Sequence, residues 1–509
     1  MLYKCTIHSF QPNFHSFLHI SLSHTHSLSL TLVCVCFGAR FEAGSMQRSW
    51  DEELPDCRYE HKQPSLIKPS SPTPNHMLYL SNLDDQKFLR FSIKYLYLFQ
   101  KSVPVNLLKH SLSRVLVDYY PLAGRLQSHH EHDDDDDGDG DDDKLQVDCN
   151  GEGAVFAEAC MDLSAQEFLQ VSNKPCKSWR KLLFRVDAPT FVDNPPLVVQ
   201  VTKLRCGGMI LCTAINHCLC DGIGTSQFLH AWAYLTTKPN GSVPIMPFHS
   251  RHVFKPRSPS SLLPSVHPAY TKNVGNPTIG DCMSLNQYLQ SQPLVPASLT
   301  YTACNIVCLK TQCVPSLKCT TFEVLASHTW RSWAKSLDLQ PSLEVKLLFS
   351  MNIRNNVIPE IPKGYYANGF VLACAKTTVN ELVEGNLHHV VKLVQEAKSS
   401  VTDNRVSDII AILEDKNVKT DLTTSLVISQ WSRLGLERLD FGEGMPLHMG
   451  PLTSDIYCLF LPVVGDPNAI RVLVSLPKSV ISKFEYYMNK FLDSNNVVAN
   501  KNGEKVEFV

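Results

Sequence analysis

The stretch MILCTAINHCLCDG, Met209 to Gly222, decides how this 509-residue chain is read. Met209 to Asn216 is largely apolar, the composition of a buried strand, and Ile223 to Leu235 then sets Phe228, Leu229, Trp232 and Leu235 on one helical face. His217 closes the strand, Asp221 follows four residues later, and Gly222 opens the turn into the helix. Sheet enzymes mount catalytic groups at such junctions. An imidazole there can serve as a general base; a core histidine satisfied by backbone is the alternative that this context leaves open. Spacing alone does not separate the two, because His129, His130 and His132 each also precede an aspartate by four residues inside an acidic run. Cys218 and Cys220 flank the histidine, so a thiol nucleophile is a third reading, disfavoured because neighbours in a tight turn face elsewhere.

Upstream, the proline-rich Leu54 to His76 gives way to Leu78, Leu80 and Leu83, then to an apolar region from Phe88 to Phe99, read as strand then helix. Leu107 to Tyr120 has helical spacing and Pro121 ends it; Lys144 to Cys149 reads as a strand. Downstream, Thr237 to Pro268 is rich in Pro and Ser, the composition of an interdomain crossover. Beyond it come a helix over Thr321 to Leu337, a strand over Val345 to Met351, a helix over Val379 to Ser400, strands over Ile456 to Leu461 and Ile470 to Leu476, and a last helix over Ser479 to Leu492. The organisation expected is a leader 1–45, an N-terminal domain 46–236, a crossover 237–270 and a C-terminal domain 271–509.

Bulk composition agrees with two domains, since 44% hydrophobic residues over this length make more core than one domain usually holds. Leu197 to Ala214 is interrupted by Gln200, Lys203 and Arg205 and reads as buried strands, not as a membrane span. Nine aspartates between Asp133 and Asp143 repel one another and read as a solvated loop without the fixed geometry a metal needs. Removing those nine charges from the net −2 leaves +7 on the remainder, which suits an anionic ligand and is too diffuse for nucleic acid. Among 18 cysteines, Cys304, Cys308, Cys313 and Cys319 lack the C-x₂-C pair of zinc sites; free thiols in a cytoplasmic protein, with no metal, are the reading. Ser21 to Cys36, SLSHTHSLSLTLVCVC, repeats pairs that translated dinucleotide repeats encode, so the leader reads as normally untranslated, with Met46 as the start. A secretory signal is its rival, because Leu28 to Phe37 is largely apolar.

Several segments together carry a family resemblance. HCLCDG, His217 to Gly222, fits an HxxxDG motif, and DFGEG, Asp440 to Gly444, fits DFGWG except at Glu443. LYLSNLD (Leu78 to Asp84), PLAGRL (Pro121 to Leu126), MNIR (Met351 to Arg354) and GYYAN (Gly364 to Asn368) add to these. Over almost everything after Met46 the chain resembles the plant BAHD acyltransferases. The resemblance implies an α/β fold of two similar chloramphenicol acetyltransferase-like domains with mixed sheets and a channel between them. Coenzyme A would enter from one mouth and the acceptor from the other.

It also implies roles. His217 would be the general base of a direct transfer from acyl-CoA, with no permanently bound cofactor. Asp221 and Arg354 would pair to support the loop, Ser429 and Trp431 would stabilise the oxyanion, and Asp440, Gly442 and Gly444 would belong to a loop on the coenzyme A side of the channel. Glu443 puts a charge where the family has a large ring, costly if buried and trivial if exposed; a non-catalytic relative that binds acyl chains or assists a partner enzyme is the alternative it raises. Relatives using polar acceptors carry a histidine where ungapped counting puts Phe91, so an apolar or phenylpropanoid alcohol is expected, and Leu83 to Phe99 looks most like coniferyl alcohol acyltransferases. Fatty alcohols and hydroxy fatty acids are the alternative acceptors. A monomer binding acyl-CoA and a small alcohol, with no nucleic acid and no membrane span, completes the expectation.

Overall fold

Two mixed sheets carry the chain, each built from apolar strands with two faces to bury. The computed structural model describes residues 53–129, 144–171, 174–256, 267–272, 292–315, 317–453 and 458–501. The leader 1–45 and the acidic run 133–143 lie outside them, and the fold is that of the unit Leu54–Val509. The first sheet has seven strands, in the order Arg58–Tyr59, Ala154–Met161, Leu197–Leu204, Met209–Asn216, Ser92–Phe99 and His448–Pro451, with Ser65–Ile67 also on Ala154–Met161. The second has six: Leu294–Tyr301, Asp466–Pro477, Cys458–Val463, Ser425–Gln430, Glu344–Asn352 and Phe370–Thr378. Both mix parallel with antiparallel pairs.

Ser92–Phe99 corrects the helix expected there. Its residues alternate with period two: Ile93, Tyr95, Tyr97 and Phe99 enter one core and Leu96 and Leu98 another, so an apolar run buried on both faces is a central strand. The first core is closed by the helices Val105–Asp118 and Gly222–Thr237, which pack on each other through Trp232, whose Nε1 donates to the Leu108 carbonyl at 3.2 Å and to Ser111 Oγ at 3.1 Å. In the second lobe Thr321–Ser336, fixed at its start by a Thr320–Glu323 capping box, packs with Leu387–Ser399 and Ile481–Lys501. The single helix expected from Val379 to Ser400 is two, because Gly385 ends the first and Asn386 caps the second. Among the described residues no helix is long and apolar enough to cross a membrane.

The lobes exchange material. His448–Pro451 comes from the C-terminal half yet forms the edge of the first sheet, paired with Tyr95–Leu98. Phe441 follows it into the first core, its ring 5.0 Å from that of Trp232 and 6.0 Å from that of Phe99. Asp440 shapes the loop around it by accepting from Gly442 N at 2.7 Å and Gly444 N at 3.0 Å, in a backbone that puts both glycines at positive φ, 109° and 102°.

Phe441→Ala empties a site that little can collapse to fill. A loss of about 3–5 kcal/mol in unfolding free energy is expected, measured by urea denaturation followed by tryptophan fluorescence.

Candidate active site

Residues of both sheets surround a cavity of about 830 Å³. The first lobe contributes Lys87 to Tyr95, His217 and Asp221 to Ile223; the second contributes Ser350, Asn352, Phe370, Leu372, Val427 to Trp431, Arg433 and Leu434. Strand register sets His217 at its wall: Ser92 pairs with Asn216, and His217 N donates to the Phe91 carbonyl at 2.9 Å where the strand ends. The imidazole lies between two aromatic edges, Phe91 at 5.1 Å and Phe370 at 6.1 Å between ring centroids. Cys218 and Cys220 are fully buried, outside the cavity lining, and burial pushes both thiols up, which leaves no thiolate to act as nucleophile.

The tautomer of His217 follows from its partner. Asn368 Nδ2 donates to Asp84 Oδ1 at 2.9 Å and to the His217 carbonyl at 2.7 Å, which fixes the amide so that its oxygen faces His217 Nδ1 at 3.1 Å. Nδ1 therefore carries the proton and Nε2 is the acceptor. Burial pushes the imidazole below its ordinary range, against opposing contributions from its own carbonyl, Asp221, Asn368 and Asp84. A neutral ring with a bare Nε2 on a cavity wall can take a proton from a bound hydroxyl.

Asp221 is fully engaged elsewhere. Its Oδ1 caps the Gly222–Thr237 helix at Gly224 N, 2.9 Å, and Oδ2 accepts from Gly369 N at 3.1 Å. Arg354 meets both oxygens, Nη1 to Oδ2 at 2.9 Å and Nη2 to Oδ1 at 3.0 Å, in a buried two-pronged pair. The same guanidinium donates to the carbonyls of Tyr365 and Ala367, at 3.1 and 2.6 Å. Gly369 lets it in: a Cβ there would stand 2.7 Å from Arg354 Cζ.

Ser429 and Trp431 line the cavity two residues apart on one strand and its exit. The Trp431 indole stacks on Tyr95, 4.8 Å apart and 7° from parallel, and its Nε1 donates to Ser429 Oγ at 3.2 Å. The indole N–H is thus spent on the hydroxyl, whose own proton is left to point into the cavity. Asp440, Gly442 and Gly444 do not line the cavity. Glu443 is exposed and 3.9 Å from Lys101, so its charge stays in solvent. Among the described residues no group of three or more His, Cys, Asp or Glu is placed to hold a metal ion.

Two polar residues linked to His217, Asn368 and Asp84, have no role that the sequence reveals. Asp84 is wholly buried, yet in the sequence it stands directly before Asp85, Gln86 and Lys87, so no local signal marks it as a buried polar partner.

Residues 58–491 match the model of a family described as "Transferase family". Two Arabidopsis thaliana proteins are similar over nearly their whole length: an omega-hydroxypalmitate O-feruloyl transferase, 33% identical over 83% of this chain and 91% of its own, and a fatty alcohol:caffeoyl-CoA acyltransferase, 34% identical over 84% and 97%. A Petunia hybrida benzyl alcohol O-benzoyltransferase is 31% identical over 86% and 95%. Vinorine synthase has the same fold, with a TM-score of 0.63 at 18% identity over 85% of this chain and 98% of that one; so does F. graminearum TRI101, solved with ethyl coenzyme A, at 0.65 and 14% over 81% and 97%.

Removing either partner of the Asp221–Arg354 pair strands the other charge in a buried setting. Asp221→Ala and Arg354→Met are each expected to cost about 3–5 kcal/mol, and the double variant less than their sum; urea denaturation of all three checks this.

Proposed function

Because the chain belongs to the Transferase family, the plant BAHD acyltransferases, we propose that it moves an acyl group from an acyl-CoA to the hydroxyl of an apolar alcohol, with His217 as the base. The observation that carries this reading is His217 on the wall of the shared cavity, its Nδ1 facing the Asn368 amide oxygen at 3.1 Å. In the reaction Nε2 takes the hydroxyl proton as the oxygen attacks the thioester carbonyl. Ser429 Oγ–H, oriented by Trp431 and Tyr95, donates to the oxygen that becomes negative. The tetrahedral species collapses with loss of the coenzyme A thiolate, which recovers the proton from the imidazolium. No acyl-enzyme is needed, since the thioester is already activated and holding both substrates in one cavity supplies the advantage.

The acceptor is read from the walls. Phe88, Leu89, Phe91, Ile93, Phe370, Leu372 and Leu459 surround the space near the base, so its affinity comes from burying carbon. The similarity to proteins named for fatty alcohol and omega-hydroxypalmitate acceptors, and for feruloyl and caffeoyl groups, supports a long-chain alcohol with a hydroxycinnamoyl-CoA donor as the first pair to try. Coniferyl alcohol is the phenylpropanoid comparison. Glu443, the departure that raised a non-catalytic role, is exposed and outside the cavity lining, so it leaves the site's chemistry intact.

His217→Ala is expected to lower kcat by about 100- to 10,000-fold without unfolding the protein; near-normal thiol release from a panel of acyl-CoA donors would refute the base. Ser429→Ala should lose about 100-fold or more in kcat and Trp431→Phe less, because the hydroxyl remains. Since burial lowers the His217 pKa and only the neutral ring accepts a proton, kcat/KM should hold through neutral pH and fall only below about 6.5.

A further inference from the structure

Behind the Asn368 amide lies a fully buried carboxylate with no role in the chemistry above. Asp84 is 0% exposed, and its carboxyl group meets Asn368 N at 3.0 Å and Nδ2 at 2.9 Å through Oδ1, and Ser81 N at 3.0 Å and Oγ at 2.6 Å through Oδ2. Three N–H groups aimed at its two oxygens make this carboxyl an acceptor for its neighbours. A second buried charge stands nearby. Arg251, also 0% exposed, comes from the crossover between the lobes, lies over the Tyr366 ring with Cζ 5.0 Å from its centroid, and reaches the Leu219 carbonyl with Nη2 at 3.4 Å. Its Nε and Nη1 have no hydrogen-bond partner among the described residues, and Asp84 is the leading charge acting on it. Leu219 belongs to the loop that carries His217, and Tyr366 to the segment that carries Asn368. The guanidinium therefore braces both arms of the hydrogen bond that holds the base.

We propose that Asp84 and Arg251 are positioning residues for His217: Asp84 sustains the basicity and tautomer of the imidazole through Asn368, and Arg251 balances that buried charge while locking the two segments together. An amide can pass on polarisation but cannot take the proton, so Asp84 stabilises the imidazolium without being protonated by it. Other charges near the ring are accounted for. Asp221 is neutralised by Arg354, Arg90 is paired with Asp85, and Lys87, Lys94 and Arg433 are exposed on the cavity rim, where solvent screens them. Cys218 and Cys220, and Tyr365 and Tyr366 behind the loop, are kept neutral by burial.

The inference rests on His217 being the base, and its test follows the ring directly, not only turnover. In protein labelled with ¹⁵N-histidine, the His217 signals, identified by their loss in His217→Ala, are titrated in the wild type, Asp84→Asn and Arg251→Gln. The wild type should show a protonated Nδ1 and a bare Nε2. Losing a negative charge should lower the His217 pKa by about one unit and losing a positive one should raise it by a comparable amount. Asp84→Asn should also lower kcat about 10- to 100-fold with both KM values within about threefold. Two shifts of opposite sign cannot come from shared structural damage. A folded Asp84→Asn with an unmoved His217 titration, or shifts of the same sign in both variants, overturns the proposal. If Asp84→Asn does not fold, an unmoved titration in Arg251→Gln overturns it. A bare Nδ1 in the wild type overturns it whatever the variants do. Failure of the base itself would show separately, as turnover surviving in His217→Ala.

Discussion

The two-pronged contact between Asp221 and Arg354 is the constraint on which the site depends. It joins residues 133 positions apart, one on the loop after the Met209–Asn216 strand and one just past the Glu344–Asn352 strand. A buried pair of this kind gains little net stability, because desolvation consumes most of the attraction. What it fixes is geometry. By gathering the carbonyls of Tyr365 and Ala367, Arg354 also shapes the segment that presents Asn368 to the imidazole. One guanidinium thereby sets the position of the loop bearing His217 and of Asn368, which meets its ring.

In the proposed reaction, this division of labour leaves the chemistry with few participants. The carboxylate nearest in sequence to the base is committed to a helix cap and a guanidinium, so the imidazole is steadied by an amide. Burial against aromatic and aliphatic walls pushes the ring's pKa down, and the same walls would give the proposed carbon-rich acceptor something to bind. In the proposed reaction, binding and basicity would come from the same surface. A more polar wall at Phe91 would alter both together.

Much of the architecture was legible because local signals were strong. The strand before His217 and the helix after it could be read from one apolar run and one helical face, with Gly222 marking the turn between them; that Asp221 caps the helix is visible only in the structure. Ser92–Phe99 was misread because a run buried on both faces loses its alternation against solvent and has the hydrophobicity of a buried helix; only the division of its side chains between two cores shows the period of two. His448–Pro451 is too short to register as a strand until its partner is known. For the site, the residues came from motif resemblance, while the links among them depend on long-range contacts that no spacing encodes. Asn368 and Asp84 lie in segments noticed for their likeness alone, 284 positions apart. The indole N–H of Trp431, directed at Ser429, could be seen only in three dimensions.

The borrowed edge of the first sheet has a consequence for how the chain is made. Ser92–Phe99 can pair early with Met209–Asn216, but its other side waits for His448–Pro451, and the first core lacks Phe441 until almost the whole polypeptide has left the ribosome. Domains emerging during synthesis usually fold as units, N-terminal first. Here the N-terminal lobe instead carries an unpaired, aromatic-rich strand edge through most of translation, an invitation to aberrant pairing. The finished fold conceals a strand edge whose cover is supplied from more than 300 residues further along the chain, so the order in which segments emerge bears on folding as well as the final contacts do.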